Sequence, residues 1–430
     1  MSDWRNVLLE DVTDEVTVGH VGPMASEYTP HGIPFLRSQD IEPYRINLSE
    51  ITHISEDFHQ RLQKSALKPG DVVIVRTGKP GTAAVVPDSL KVANCSDLVI
   101  VRPSRELDSR FLAYYINTLG NRHVAAHLVG AVQQHFNVGS ARKLRLLLPR
   151  IEEQRDIADV LGALDDKIEL NRRMNETLEA IARAIFKSWF VDFNPVRAKA
   201  AGRQPAGISH DIARLFPTKL VKSAAGPIPD GWRCAPLPQA IEINPPRDLE
   251  RSCVAPYLDM ANVPQNSPRP LNWRNREFTS GSRFGNGDTL LARITPCLEN
   301  GKTAYVDFLA RDQVGWGSTE FIVLHPKAPL PPEYGYFLAR CEEFRAFAIG
   351  NMTGTSGRQR VPTDCFAAYM MVVPPPEIAG RFGEITAGLM HRIKRNDEES
   401  STLAELRDTL LPKLLSGEVR VNELSVGATI

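Results

Sequence analysis

Gln133, Gln134 and His135 stand together in a polar stretch between apolar flanks, and Arg358, Gln359 and Arg360 stand together in another. Side-chain amides pair with the edge of adenine and guanidiniums with that of guanine in the major groove, so both triplets carry the chemistry of base readout. The same loops could instead brace the helices beside them, and the residues alone leave both readings open. Arg76, Lys79, Arg293 and Lys302 lie in or beside turns between apolar strands. Cations at such turns suit phosphate contact, which positions a protein on a duplex without specifying sequence.

The constellations of catalysis are missing. Asn244-Pro245-Pro246-Arg247 is similar to the Asn-Pro-Pro-aromatic turn with which adenine methyltransferases hold a flipped base. Arg247 replaces the aromatic, and no glycine-rich strand-to-helix turn precedes it to bind a nucleotide cofactor. Asn300-Gly301-Lys302-Thr303 ends like a phosphate-binding loop, but Pro296 occupies the upstream glycine position and a strand pattern follows. Pro87-Asp88 lacks the acidic-x-Lys partner of a magnesium nuclease. His123 and His127 share helical spacing without a third ligand or base. No catalytic residue and no metal site is expected.

The elements that must hold these loops come in two copies. Pro34-Phe35-Leu36-Arg37 returns as Pro256-Tyr257-Leu258-Asp259, Gly70-Asp71 with Arg76 returns as Gly287-Asp288 with Arg293, and Leu148-Pro149 returns as Val373-Pro374. In the first copy Asp71–Val75, Ala83–Val86 and Leu98–Val101 read as strands, Phe111–Leu119 as a short helix, and Leu144–Pro149 as a closing strand. The second copy keeps the order, with strands over 288–292 and 320–324, a helix over 334–341, the polar loop 353–361 and a closing strand over 369–373. Trp4, Trp189, Trp232 and Trp316 read as packing residues.

Each copy runs into a helix far longer than the mean of ~11 to 12 residues. Leu161, Leu164, Ile168, Asn171 and Leu178 in the first, and Leu389, Ile393, Asn396, Leu403 and Leu410 in the second, fall on an alternating four-three spacing. That period marks a coiled-coil seam. Both seams turn polar at equivalent midpoints, Asn171 and Asn396, which meet if the helices pair antiparallel; a solvated polar interruption is the other reading. Between the copies, residues 194–229 are rich in Pro and Gly and read as an extended, partly ordered connector.

Composition sets outer bounds. Apolar residues at 42% and a formal net charge of zero fit a globular protein and speak against non-specific coating of nucleic acid. No apolar run reaches the ~20 residues of a membrane span, and Met1-Ser2-Asp3-Trp4-Arg5 lacks the layout of a secretion signal, so a cytoplasmic protein is expected. Six scattered cysteines read as reduced, mostly buried thiols.

The tandem arrangement resembles the specificity subunits of type I restriction-modification enzymes, over nearly the whole chain. Pro149-Arg150-Ile151-Glu152-Glu153-Gln154-Arg155-Asp156-Ile157 is similar to that family's Pro-x-x-x-Glu-Gln-x-x-Ile helix entry, and Ala184 to Lys199 is similar to its exit from the central helix. The second helix departs at Pro376-Glu377-Ile378-Ala379-Gly380, where the Glu-Gln pair is absent, and is again family-like at Leu411 to Val419.

The resemblance implies an α+β (mixed α/β) fold with a pseudo-twofold internal repeat. Its expected parts are a target recognition domain over 1–149, a central spacer helix over 150–193, the connector 194–229, a second target recognition domain over 230–374, a C-terminal spacer helix over 375–416 and a tail over 417–430. The two helices pair antiparallel. By resemblance the chain is a non-catalytic subunit that binds double-stranded DNA, each half reading one part of a bipartite, asymmetric target. The helices, roughly 60 Å at ~1.5 Å per residue, set the spacer and dock two modification (methyltransferase) subunits. Restriction (translocase) subunits can join, and there is no membrane partner. No cofactor is expected on this chain; S-adenosylmethionine, ATP and magnesium are expected on partner subunits. A coiled-coil scaffold without DNA specificity and a stand-alone methyltransferase are the alternatives.

Overall fold

Val72-Val73-Ile74-Val75 is buried along its whole length, as a β-branched run without polar alternation must be when both faces of its sheet are covered. It is a central strand. In the computed structural model, which describes residues 4–127, 135–355 and 357–424, the chain divides into two units, Met1–Ile168 with Ser401–Ile430 and Glu169–Ser400.

In the first unit a four-stranded antiparallel sheet runs in the order Ala83–Val85, Val72–Val75, Leu98–Pro103, Thr13–Val18. A second sheet has the order Tyr28–Thr29, Thr52–Ile54, Ile33–Leu36, Ala93–Cys95, Ala66–Leu67, with one parallel pair between Ile33–Leu36 and Ala93–Cys95. The helix Ser109–Asn117, capped by Asp108, packs Phe111, Leu112 and Ile116 into the main core. Strand Arg5–Leu8 pairs with the closing strand Arg145–Leu148.

The second unit repeats this plan with a smaller second sheet. Its first sheet runs Thr303–Tyr305, Thr289–Ala292, Phe321–Pro326, Ile241–Ile243, and its second Arg274–Glu277, Val254–Leu258, Gly315–Gly317, Ser282–Phe284, with the parallel pair again in the middle. Helix Glu333–Arg340 stands for Ser109–Asn117, and Arg233–Pro236 pairs with Met370–Val373. Among the described residues Tyr28–Thr29 covers an edge in the first unit that Arg274–Glu277 leaves open in the second, and the short pair Ile41–Glu42 with Arg45–Ile46 has no counterpart there.

The long helices are Ile151–Phe186, continued by a π-turn over Lys187–Val191, and Pro376–Ser416. In the first unit Ile157, Ala158 and Leu161 share a core with Leu411, Leu414 and Leu415; in the second Phe186 and Leu178 share one with Phe382, Met390 and Ile393. The early part of one helix thus meets the late part of the other, which is antiparallel pairing. All ten seam residues named from the sequence are buried or half-buried.

Gln154 explains the family-like helix entry. Fully buried, it donates its amide to the carbonyls of Glu106 (2.8 Å) and Pro149 (3.0 Å) and accepts from the Asp108 amide (2.8 Å), tying the helix start to the cap of helix Ser109–Asn117. Ala379, at the equivalent place in the second helix, is buried with no such bonds to make.

Two readings need correction. Residues 194–229 are folded rather than extended: helices Asn194–Ala200 and His210–Leu215 precede a hairpin of Leu220–Ser223 with Gly226–Pro229. Pro195 falls in the first helical turn, where no amide donor is needed, and Phe216 is buried against Trp189 at 5.2 Å between ring centroids, so composition misled. Among the six free cysteines only Cys95 is buried, while Cys253 is exposed. Among the described residues no helix is long and apolar enough to cross a membrane.

Candidate nucleic-acid interface

In both units the arginine that follows the central strand meets the polar loop. Arg76 leaves strand Val72–Val75, accepts the Phe136 amide on its carbonyl (3.1 Å), donates Nε to the Phe136 carbonyl (3.3 Å) and pairs with Asp97 at 3.0 Å. Beside it Thr77 Oγ1 lies 2.8 Å from His135 Nδ1. Gln133 and Gln134 lie outside the described residues. Lys79 is exposed at the following turn, whose flanking Gly78 and Gly81 both take positive φ (+89°), a conformation that side-chain-bearing residues adopt at a cost.

Arg293 repeats the arrangement in the second unit. Its carbonyl accepts the Val361 amide (2.9 Å), and its Nε is buried without a hydrogen-bond partner. The loop then bridges the strand end, with the Gln359 carbonyl accepting from the Thr295 amide (3.1 Å) and hydroxyl (3.2 Å). Arg360 forks onto Glu320 at 2.8 to 3.0 Å, and that carboxylate raises its pKa further above its ordinary value. Arg358 is exposed and carries no ion pair among the described residues. Lys302 instead donates to the carbonyls of Met260 (2.7 Å) and Ala261 (3.4 Å), which fastens a loop.

The remaining motifs resolve into braces. Arg247 of the Asn-Pro-Pro-Arg turn forks onto the fully buried Asp288 at 2.9 and 2.6 Å, and His325 Nδ1 lies 2.8 Å from the same carboxylate. A buried carboxylate without such partners would be costly, so Arg247 is a packing counter-ion in place of an aromatic platform. Its equivalent in the first unit is simpler: Asp71 faces Arg102, and burial raises its pKa above the ordinary carboxylate range. His123 and His127 stack at 4.0 Å, and His123 Nε2 is bonded to the Ser140 carbonyl oxygen at 2.9 Å, with burial lowering its pKa. Among the described residues no group of three or more His, Cys, Asp or Glu is placed to hold a metal.

Sequence reasoning passed over Arg274, Arg276 and Arg283. They stand exposed on the second sheet of the second unit, with guanidiniums over Tyr257, Trp316 and Phe278 at 4.5 to 6.0 Å from the ring centroids. A Trp-Arg-Asn-Arg-Glu run signalled no buried strand, and its aromatic partners are distant in sequence.

Residues 1–180 match the model of the type I restriction modification DNA specificity domain. The chain is similar to type I specificity subunits. Across its full length it is similar to the HindI specificity subunit of Haemophilus influenzae, 23% identical with 97% of this chain and 100% of the relative covered. It is likewise 24% identical to the MjaIX specificity subunit of Methanocaldococcus jannaschii, over 98% of this chain and 95% of that one. The fold is that of the S subunit of a type I restriction-modification system from M. genitalium, with a TM-score of 0.56, 14% identity and 96% of each chain covered.

Proposed function

We propose that each unit reads one half of a bipartite, asymmetric duplex target through the loop hung on its strand-end arginine, and that the paired helices fix the spacer and dock methyltransferase subunits. The observation that carries this reading is the conserved bond between loop and strand, Phe136 to Arg76 and Val361 to Arg293, under loops of different sequence. A fixed seat with variable contents is what two different half-sites require. Specificity then comes from the loop side chains, and affinity from cations on the phosphates. S-adenosylmethionine, ATP and magnesium belong to the partner subunits in this reading.

Methylation mapping in cells with and without the chain tests it. The expected result is a two-part motif that disappears with the chain; an unchanged methylome would favour a scaffold without DNA specificity. Matched four-residue insertions beside Asn171 and Asn396 should change the spacer while leaving both half-sites intact.

A further inference from the structure

Pairing register aligns Arg274 with Tyr257, Tyr257 with Trp316 and Trp316 with Arg283, across all four strands of the second sheet in the second unit. Side chains of directly paired residues share a face, so this is one row of cation, ring, ring, cation. Arg276, two residues along the edge strand, falls on the same face with its guanidinium 4.5 Å from the Tyr257 centroid and 5.8 Å from that of Trp316. The opposite face carries Leu258 and Phe284 into a buried core.

Among the described residues no carboxylate lies within 4.0 Å of any of the three guanidiniums. Stacking on an aromatic face orients a guanidinium while leaving its N–H fork directed outward. Three like charges collected on one sheet face and left without counter-ions are complementary to a polyanion.

The first unit has closed the same face. Its matching positions are Thr52, Phe35, Asn94 and Ala66, with Ile54 where Arg276 stands. A helix, Glu56–Arg61, capped by Ser55, lays Phe58 against Phe35 and Ile54, and Asn94 donates its amide to the Leu62 carbonyl at 3.1 Å.

We propose that Arg274, Arg276 and Arg283 grip the phosphodiester backbone of duplex DNA, a contact made by the second repeat alone. The proposal rests on the reading of the chain as a DNA-recognition subunit and assigns its phosphate contacts unequally to the two halves. It also gives the open edge strand a purpose beyond repelling a further strand.

The test measures binding of the full-length chain to a labelled duplex of mixed sequence across a series of salt concentrations. At ~0.9 in the slope of log K against log salt per neutralised phosphate, the triple variant R274A/R276A/R283A should lose about 2.7 from that slope, and R274K/R276K/R283K should keep most of it. Thr52→Ala should leave it unchanged. If the wild-type chain binds the duplex and the triple Ala variant, equally folded by thermal melt, shows the same slope, the proposal fails and the recognition reading stands. If wild type and variant bind the duplex alike but only the variant fails to assemble with modification subunits, the face docks protein and the proposal is wrong. Should the wild-type chain bind no duplex even in the assembled complex, both readings fall.

Discussion

The amide of Val361 donates to the carbonyl of Arg293 at 2.9 Å. Phe136 makes the same bond to Arg76 at 3.1 Å in the other repeat, so the two polar loops hang from one backbone position although their sequences have diverged. Arg358, on the second loop, has its side chain exposed and without an ion pair among the described residues, whereas Arg360 is held by Glu320. Arg358→Ala should relax a single base position of the methylated motif, with ~1–3 kcal/mol of discrimination lost there and the other positions kept. A uniform loss across sequences would instead reveal a phosphate contact.

Asn396 is buried, donates its side-chain amide to Asn175 Oδ1 at 2.8 Å and offers its carbonyl to Asn171 Nδ2 at 3.4 Å, while Asn171 also reaches Glu399 at 2.9 Å. Asn396→Leu strands the Asn175 oxygen in a seam with little water. A loss of about 1–3 kcal/mol in denaturant unfolding is expected, and no change in stability or assembly would mean that the polar layer does not fix the pairing.

Asp165 joins three elements of the first unit, accepting from Tyr114 at 2.5 Å and Arg407 at 2.6 Å while Arg407 lies 5.0 Å from the Tyr44 ring centroid. Both partners of the ion pair are mostly shielded from solvent. Asp165→Ala should cost roughly 1–3 kcal/mol, because Arg407 and the Tyr114 hydroxyl lose a shared acceptor. Asp159→Ala, whose pair with Arg110 is solvent-exposed, should cost less than about 1 kcal/mol under the same assay.

Burial raises the pKa of Glu333 above the ordinary carboxylate value, with the Tyr305 hydroxyl at 3.4 Å as its hydrogen-bond donor. The folded chain therefore holds this proton more tightly than the unfolded chain. Its contribution to stability is fully present below the unfolded pKa and declines as pH rises through the folded one. Glu333→Gln should flatten the fall in melting temperature between that acidic range and neutrality; an unaltered pH profile would show that the buried carboxyl does not titrate there.

Much of the scaffold could be read directly from residue order. Continuous β-branched runs such as Val72–Val75 left no choice but a buried strand, and the four-three spacing through Asn171 and Asn396 located the helix seam. The polar loops and strand-end arginines were also visible, because turn residues bracket them. What escaped depended on pairing distant in sequence. Arg247 acquires its role from Asp288, 41 residues away, and Arg276 from Tyr257 and Trp316 on neighbouring strands. Lys302 and Arg360 looked free for DNA and are engaged with Met260 and Glu320. A connector rich in Pro and Gly folded because Val196 and Phe216 anchor it in a core.

The amide layer at Asn171, Asn175 and Asn396 acts as the zero mark of a vernier. Sliding one helix past the other by a heptad would carry an amide opposite leucine, so length can change only when both strands change together. A matched heptad adds about 10 Å at ~1.5 Å per residue, close to the rise of three base steps at ~3.4 Å each. Helix lengths in such a pairing are therefore quantised, and if the helices set the spacer as proposed, relatives with different spacers should differ by whole, paired increments of helix and not by scattered single-residue insertions.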